Sequence, residues 1–446
     1  MNLTILLIGA RLWRARPIES FARATIAIAL LSIEMQLATW WGAPRLSSLV
    51  VVNAVIGAVW LFAWPPRSRR TEPDARDTRL PWAAIGVLTA TVAMLATRPL
   101  AGADPYHLER VSQILRLGTL EYDTTADVKV NVLASSYELV LADLAQTPWI
   151  GGFLLRLHGL WSLAYFTLGV AAIREWLPGG RRWCWAALFA VPVLFHQLAF
   201  VKNDLYSATP ALIALAWIVV RARTAPAREV AAAAALVGMA VAMKWVAFPL
   251  GIVMTGWIAW YRWRESGAVA SLILGGFAGA VAGGLPFTLV QTARWYGDLL
   301  APLDSLGNHT TGIADALTSV GRFAISLVDF GQLTRRWWPG RGGWGATFGA
   351  PFIWAMAVAA MQSASSVVRG ATVAAGCYLA LFAAVYPDAD VAHRLVLAPG
   401  LLLIAVAAQQ TDGDGAAART SRRLLTIALA ISAIQIARSL WLYLVG

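Results

Sequence analysis

Ionisable side chains break into apolar surroundings at several places in this 446-residue sequence, and their types suggest chemistry. Asp104 ends a long apolar run and is followed by Pro105, Tyr106, His107, Leu108 and Glu109. A carboxylate beside a phenol and an imidazole could act as a general base or help hold a metal. The same aspartate suits a helix cap with proline at the first helical position, and a capping carboxylate can still face a cavity. Lys202-Asn203-Asp204 joins two apolar runs. It reads either as an ion pair that ends both helices or as a lysine for phosphate and an aspartate for sugar hydroxyls. Lys244 interrupts the apolar stretch 234–254 with no acidic neighbour in sequence, so it either snorkels to headgroups or faces an anion such as phosphate. Arg394 follows Asp388, Asp390 and His393, where a guanidinium could grip a phosphate bidentately or pair with Asp390.

The elements that must carry these residues are apolar helices. The sequence is 59% hydrophobic and 13% charged, with a mean hydropathy of +0.62, more apolar than one soluble core of this length can bury. Leu, Ala, Val, Ile and Trp recur in runs separated by short charged or Gly/Pro-containing breaks. A bilayer core about 30 Å thick needs about 20 helical residues, so each run reads as a span, giving an all-α integral membrane bundle of about thirteen helices. The runs lie near 18–41, 47–64, 81–98, 150–177, 183–200, 205–220, 267–290, 346–362, 370–386, 393–408 and 423–445. The stretch 230–261 is too long for one span and reads as a hairpin of two short helices turning near Lys244.

Charge then orients the bundle. The net charge of +12 resides in arginines between the runs, on alternate sides, which is the positive-inside pattern and not a nucleic-acid footprint. The segment 65–79 carries Arg67, Arg69, Arg70, Arg76 and Arg79 with Pro65, Pro66 and Pro73. It is therefore a cytoplasmic linker between residues 1–80, which hold two spans, and a main module, 81–446. Followed from that anchor, Asp104, Lys202, Asp204, Lys244, Asp388, Asp390 and Arg394 all fall on the non-cytoplasmic side, together with two long loops, 99–149 and 291–345. Polar groups at membrane depth cost several kcal/mol and mark functional cavities. The loop after Asp104 is expected to form a short amphipathic helix along the membrane surface, with Leu108, Val111 and Leu115 as its apolar face. Trp337, Trp338 and Trp344 read most simply as an interfacial belt.

Other classes find little support. Cys184 and Cys377 have neither metal-ligand spacing nor a disulfide framework around them. The N-terminus places its apolar stretch before its positive charges, the reverse of a signal peptide, and is expected to be retained. There is no Gly-rich phosphate loop, no nucleophile elbow and no cytoplasmic domain able to bind a nucleotide, so a donor substrate is expected to come from the membrane.

Taken in order and on one side of the membrane, four stretches resemble the GT-C superfamily, the multispan glycosyltransferases that use polyprenyl-phosphate sugars. The protein-mannosyltransferase-like and aminoarabinose-transferase-like branch is the most similar. The stretches are DPYHLERVSQILRLGTLEY from Asp104, FVKNDLYSA from Phe200, VGMAVAMKWVAF from Val237, and YGDLLAPL from Tyr296, with His393-Arg394 and Pro399 completing the set. The resemblance covers roughly 81–446 and implies inverting transfer of a sugar to the hydroxyl of a glycan, lipid or protein at the extracytoplasmic face, in a bacterial plasma membrane. Asp104 would be the general base, Lys244 and Arg394 would neutralise the departing lipid phosphate, and His107, Lys202 and Asp204 would orient sugar or acceptor. The branch often has two adjacent acidic residues where this sequence has Asp104-Pro105, so Glu109, Asp123 and Asp127 are the candidates for a second carboxylate. A divalent cation is the one cofactor this reading admits. The competing reading is a lipid or solute transporter, or flippase, with an outward-facing charged cavity.

Overall fold

The computed structural model describes residues 17–40, 79–97, 105–123, 126, 130, 136–146, 149–177, 181–199, 201–299, 312–328, 348–361, 365–386 and 393–445. The expected span 47–64, the arginine-rich linker up to Thr78, Asp104, Asp127, Asp388, Asp390 and the tryptophan-rich stretch 337–344 lie outside the described residues. Among the described residues every regular element is a helix.

The centre of the bundle is α9 (Asp204–Val220), which is apolar on every face and buried from Asp204 through Ile218. A helix without a polar side can only sit inside a protein or a membrane. Next to it run α10 (Ala227–Met243) and α11 (Phe248–Arg262), separated by Lys244 and a short 3-10 turn, Trp245–Ala247. Lys244 is in an extended conformation (φ −159°, ψ 115°), and Pro249 opens α11. Proline cannot continue a preceding helix but is pre-set for the first turn of a new one, which is why the chain breaks there. The break is a full reversal. Arg262, at the end of α11, donates from its Nη1 to the carbonyl of Ala225, just before α10, at 2.6 Å. The expected hairpin around Lys244 is thus the observed geometry.

α12 (Ser266–Ala282) packs on α10 with backbone against backbone. A Cβ at Gly275 or Gly279 would overlap the carbonyls of Ala231 or Ala235, and one at Gly238 would overlap that of Gly276. The opposite face of α12 presents Ile273, Leu274 and Phe277 outward, each about two-thirds exposed (64%, 68% and 67%). Small residues inside and large apolar residues outside invert the soluble pattern and follow that of membrane helices. The expected straight span 267–290 is instead two helices: α12 and α13 (Leu285–Tyr296) meet at a bend of 63°. Gly283 and Gly284 form the joint, and Gly284 has φ +91°, a conformation open to glycine.

The remaining helices surround these. α1 (Pro17–Trp40) lies along α6 (His158–Trp176), α2 (Arg79–Ala96) along α7 (Arg181–Phe189), and α8 (Pro192–Ala199) leads to Lys202. α3 (Pro105–Leu117) and α4 (Ser136–Ala145) belong to the first long loop, and α14 (Ile313–Val328) to the second. The expected span 150–177 is instead two helices, α5 (Gly151–Arg156) and α6, and the expected span 183–200 is divided into α7 and α8 before Pro192. α15 (Ala350–Met361), α16 (Ser366–Val385), a 3-10 turn at His393–Val396, α17 (Leu397–Gln409) and α18 (Ala416–Val445) complete the chain. By length and composition, α16 could cross a membrane alone, and the bent pair α12–α13 could form one further span. The shorter apolar helices are Ala84–Ala96, Asp204–Val220, Ala350–Met361 and His393–Gln409.

Candidate functional site

The helices have two chemically different ends. At one end Arg221 pairs with Glu229 at 3.1 Å, Arg223 donates to the Tyr261 hydroxyl at 2.6 Å, and Arg262 pairs with Glu265. The other end of α9 lies a helix length away, about 25 Å at 1.5 Å per residue. There three breaks in helical structure converge: the turn 201–203, the 3-10 turn after Lys244, and the 3-10 turn at His393–Val396.

Asp204 is their focus. It opens α9, where the helix dipole favours a negative charge, and its side chain is 1% exposed. The Lys244 ammonium forms an ion pair with Asp204 Oδ1, and Arg394 Nη1 lies 3.7 Å from Oδ2. Buried Lys202 also faces this carboxylate. Asn203 braces the break, accepting from Lys244 Nζ at 3.0 Å and reaching the Met243 carbonyl at 3.5 Å. The acid that Lys244 lacks in its own segment is therefore supplied across the fold. Arg394 meets Asp204, while Asp390 lies outside the described residues. Within this group three cations surround one carboxylate, and the side chains of Lys244 and Arg394 are 20% and 32% exposed. What enters from solvent meets the cations first.

A second polar group stands beside it. On α3, residues 107, 110, 111 and 114 share one face by helical spacing, and all four are buried. The expected amphipathic helix is present, but its inward face carries His107, Arg110 and Gln113 as well as Val111 and Ile114. That face packs into the protein, against α4. Glu109 falls on the opposite, exposed face and is not brought to the cluster. Asp123 pairs with Arg116 of the same loop. The acid that meets His107 is Glu138 of α4: His107 Nδ1 pairs with Glu138 Oε1, and Glu138 is fully buried. Glu138 Oε2 has no hydrogen-bond partner among the described residues. Local sequence does not single out Glu138, although it is a lone carboxylate in the apolar segment SSYELVLA.

Aromatic rings join the two groups. The His107 and Tyr137 rings meet edge to face at 6.1 Å, and Tyr137 lies 5.3 Å from Tyr206, two residues beyond Asp204. The Tyr137 hydroxyl is 3.1 Å from His158 Nδ1, and Tyr165 adds a third tyrosine, 5.6 Å from Tyr206. Arg110 secures the loop beneath. It donates to the carbonyls of Leu120 at 2.7 Å and Glu121 at 3.2 Å, and burial pushes its guanidinium down to about 10. Tyr122 lies under that guanidinium and reaches the Thr288 carbonyl of α13 at 3.1 Å; burial raises its phenol to about 12.

Two residue sets could attract a ligand: the cations around Asp204, suited to an anion, and the His107–Glu138 pair, suited to proton exchange. A divalent cation prefers several oxygen ligands. Among the described residues no three His, Cys, Asp or Glu side chains gather to hold a metal ion. Comparison with protein-family models, curated proteins and solved structures finds no match to the chain.

Proposed function

We propose that the chain is a polytopic membrane glycosyltransferase of about thirteen spans. It moves a sugar from a polyprenyl-phosphate donor to an acceptor hydroxyl at the extracytoplasmic face of a bacterial plasma membrane. One observation carries this reading: an anion-attracting group (Lys202, Lys244 and Arg394 around Asp204) and a proton-exchanging group (His107 with Glu138) lie at the same end of the bundle, opposite the end where Arg221, Arg223 and Arg262 gather. Membrane embedding is supported by the glycine-lined contact of α10 and α12 and by the large apolar residues facing outward from α12.

In this mechanism the lipid-linked phosphate docks against Lys244 and Arg394. The acceptor oxygen bonds to the anomeric carbon while the bond from that carbon to the phosphate oxygen breaks, and the electron pair leaves on the phosphate. The cations stabilise that charge as it develops, which is where electrostatic catalysis acts most strongly. The acceptor proton goes to a base on the first outer loop, which carries Asp104 immediately before α3 and His107 within it. Inversion requires base and leaving group on opposite faces of the sugar. The two groups here are distinct and are linked through the Tyr137 and Tyr206 rings, which gives base and phosphate separate places.

The test is transfer itself. The full chain in lipid nanodiscs is incubated with a panel of radiolabelled polyprenyl-phosphate sugars and an extract of envelope acceptors, and new glycosides are separated by chromatography. Wild type should give a product from at least one donor, and Arg394→Met should reduce turnover about a hundredfold or more. Movement of intact lipid across the bilayer without a new glycosidic bond would establish the flippase reading instead. No reaction with any donor would overturn the proposal.

A further inference from the structure

We infer that the base is the His107–Glu138 pair: His107 Nε2 takes the proton of the acceptor hydroxyl, and Glu138 positions the imidazole. This inference rests on the transferase reading above and names the proton acceptor that reading leaves open.

The two residues come from separate helices of the same long loop, and neither needs the other for local structure. His107 sits in the first turn of α3 and Glu138 in the first turn of α4, where the helix dipole favours a carboxylate. Burying both is costly unless the pairing has a purpose or a full set of partners. The set is incomplete among the described residues, because Glu138 Oε2 is buried without a hydrogen-bond partner. Since Nδ1 faces Oε1, the imidazole donates Nδ1–H to the carboxylate, and its other nitrogen, Nε2, is the basic atom. A carboxylate that fixes the tautomer and stabilises the imidazolium formed on proton transfer is the arrangement used by histidine bases generally.

Neighbouring elements fit the role. Arg110 of α3 and His158 of α6 face this pair electrostatically, and Asp204 of α9 lies beyond Tyr137. Tyr137 packs edge-on against the imidazole and contacts His158, which limits how the ring can turn. In the step itself, the acceptor O–H bond breaks to Nε2 as the acceptor oxygen bonds to the anomeric carbon. The phosphate departs with the electron pair, and the imidazolium later releases its proton to solvent.

The experiment uses the full chain in nanodiscs with the labelled donor that wild type turns over. His107→Ala should lower kcat by about 10² to 10⁴-fold, while the KM for donor stays within about threefold. Added imidazole should restore part of the rate to His107→Ala and none to Asp104→Asn. Glu138→Gln keeps a hydrogen-bonding group of the same size, so it serves if His107→Ala does not fold. It should lower kcat about tenfold or more and move the acid limb of the pH–rate profile, which a merely structural contact would not do. A folded His107→Ala with near-wild-type turnover overturns the assignment, and loss of turnover in Asp104→Asn alone transfers the role to Asp104. Both results leave the transferase reading standing. Failure of wild type with every donor overturns that reading and this assignment together.

Discussion

Neutralising Asp204 and removing Lys244 should change anion binding in opposite directions. The Asp204 side chain is 1% exposed, whereas those of Lys244 and Arg394 are 20% and 32% exposed, so an incoming phosphate meets the cations and feels Asp204 behind them as a repelling charge. A unit charge 4 Å away is worth roughly 4 kcal/mol at an effective dielectric near 20. A ligand seated beyond the cations is more distant and partly screened by solvent, which leaves about 1–2 kcal/mol. Asp204→Asn should therefore bind a polyprenyl phosphate about tenfold tighter, and Lys244→Met about tenfold weaker. Stability behaves differently. Lys244→Met leaves a buried carboxylate with Arg394 at 3.7 Å, so the cost falls near the lower end of the range for breaking a buried pair, about 3 kcal/mol. Asp204→Asn removes the carboxylate from partly exposed Lys244 and Arg394 and from buried Lys202, so it too destabilises. The double variant should recover about 1–3 kcal/mol relative to the sum of the single effects. Calorimetric titration of the detergent-solubilised chain with polyprenyl phosphate reads the first effect, and denaturation monitored by tryptophan fluorescence reads the second. A folded Asp204→Asn that binds phosphate no tighter than wild type would refute the electrostatic account.

Three further outcomes follow from the packing and the loops. Gly279→Ala drives a methyl into the Ala235 carbonyl and should cost about 1–3 kcal/mol, whereas Gly276→Ala, which meets open space, should gain about 0.5–1 kcal/mol from helix propensity. Matched denaturation curves for the two variants decide it, and equal effects would disprove the close contact of α10 and α12. Arg110→Met removes charged hydrogen bonds to Leu120 and Glu121 and should destabilise by about 1.5–3 kcal/mol, with faster amide exchange at residues 118–122 as the local readout. The hydrogen bond from Arg262 holds the exposed Glu265 carboxyl below its ordinary 4.5, so its support of the α11–α12 turn is complete above that value and is lost as pH falls through the lower folded value. Exchange at residues 262–269, corrected for intrinsic rates, should rise only below pH 4.5 in wild type and show no such step in Glu265→Gln.

Apolar periodicity and helix-breaking residues made much of the fold legible. The length and spacing of the apolar runs pointed to helices, which is what every regular element among the described residues is, and Lys244 followed by Pro249 announced a break that the hairpin of α10 and α11 realises. The amphipathic spacing of 105–117 matched α3 because a helix repeats its faces every 3.6 residues. What failed is equally physical. The run 267–290 is apolar throughout, so hydropathy could not register the 63° bend that Gly283 and Gly284 permit. Glu109 stood out for its nearness to Asp104, but proximity in sequence does not decide which side of a helix a residue faces, and it points outward.

The sequence by itself determined the helical class, the break at Lys244 and the residues expensive enough to imply a purpose, because these depend on local propensity and on the cost of burying charge. Only the tertiary structure decided who meets whom. Lys244 has no acid nearby in sequence, yet it finds Asp204 across a helix–helix contact, together with Arg394 from far along the chain. Glu138, unremarked in its apolar segment, becomes the partner of His107 because α3 and α4 fold against each other. Pairing of buried charges is settled by packing between segments, and no local rule encodes which segments pack.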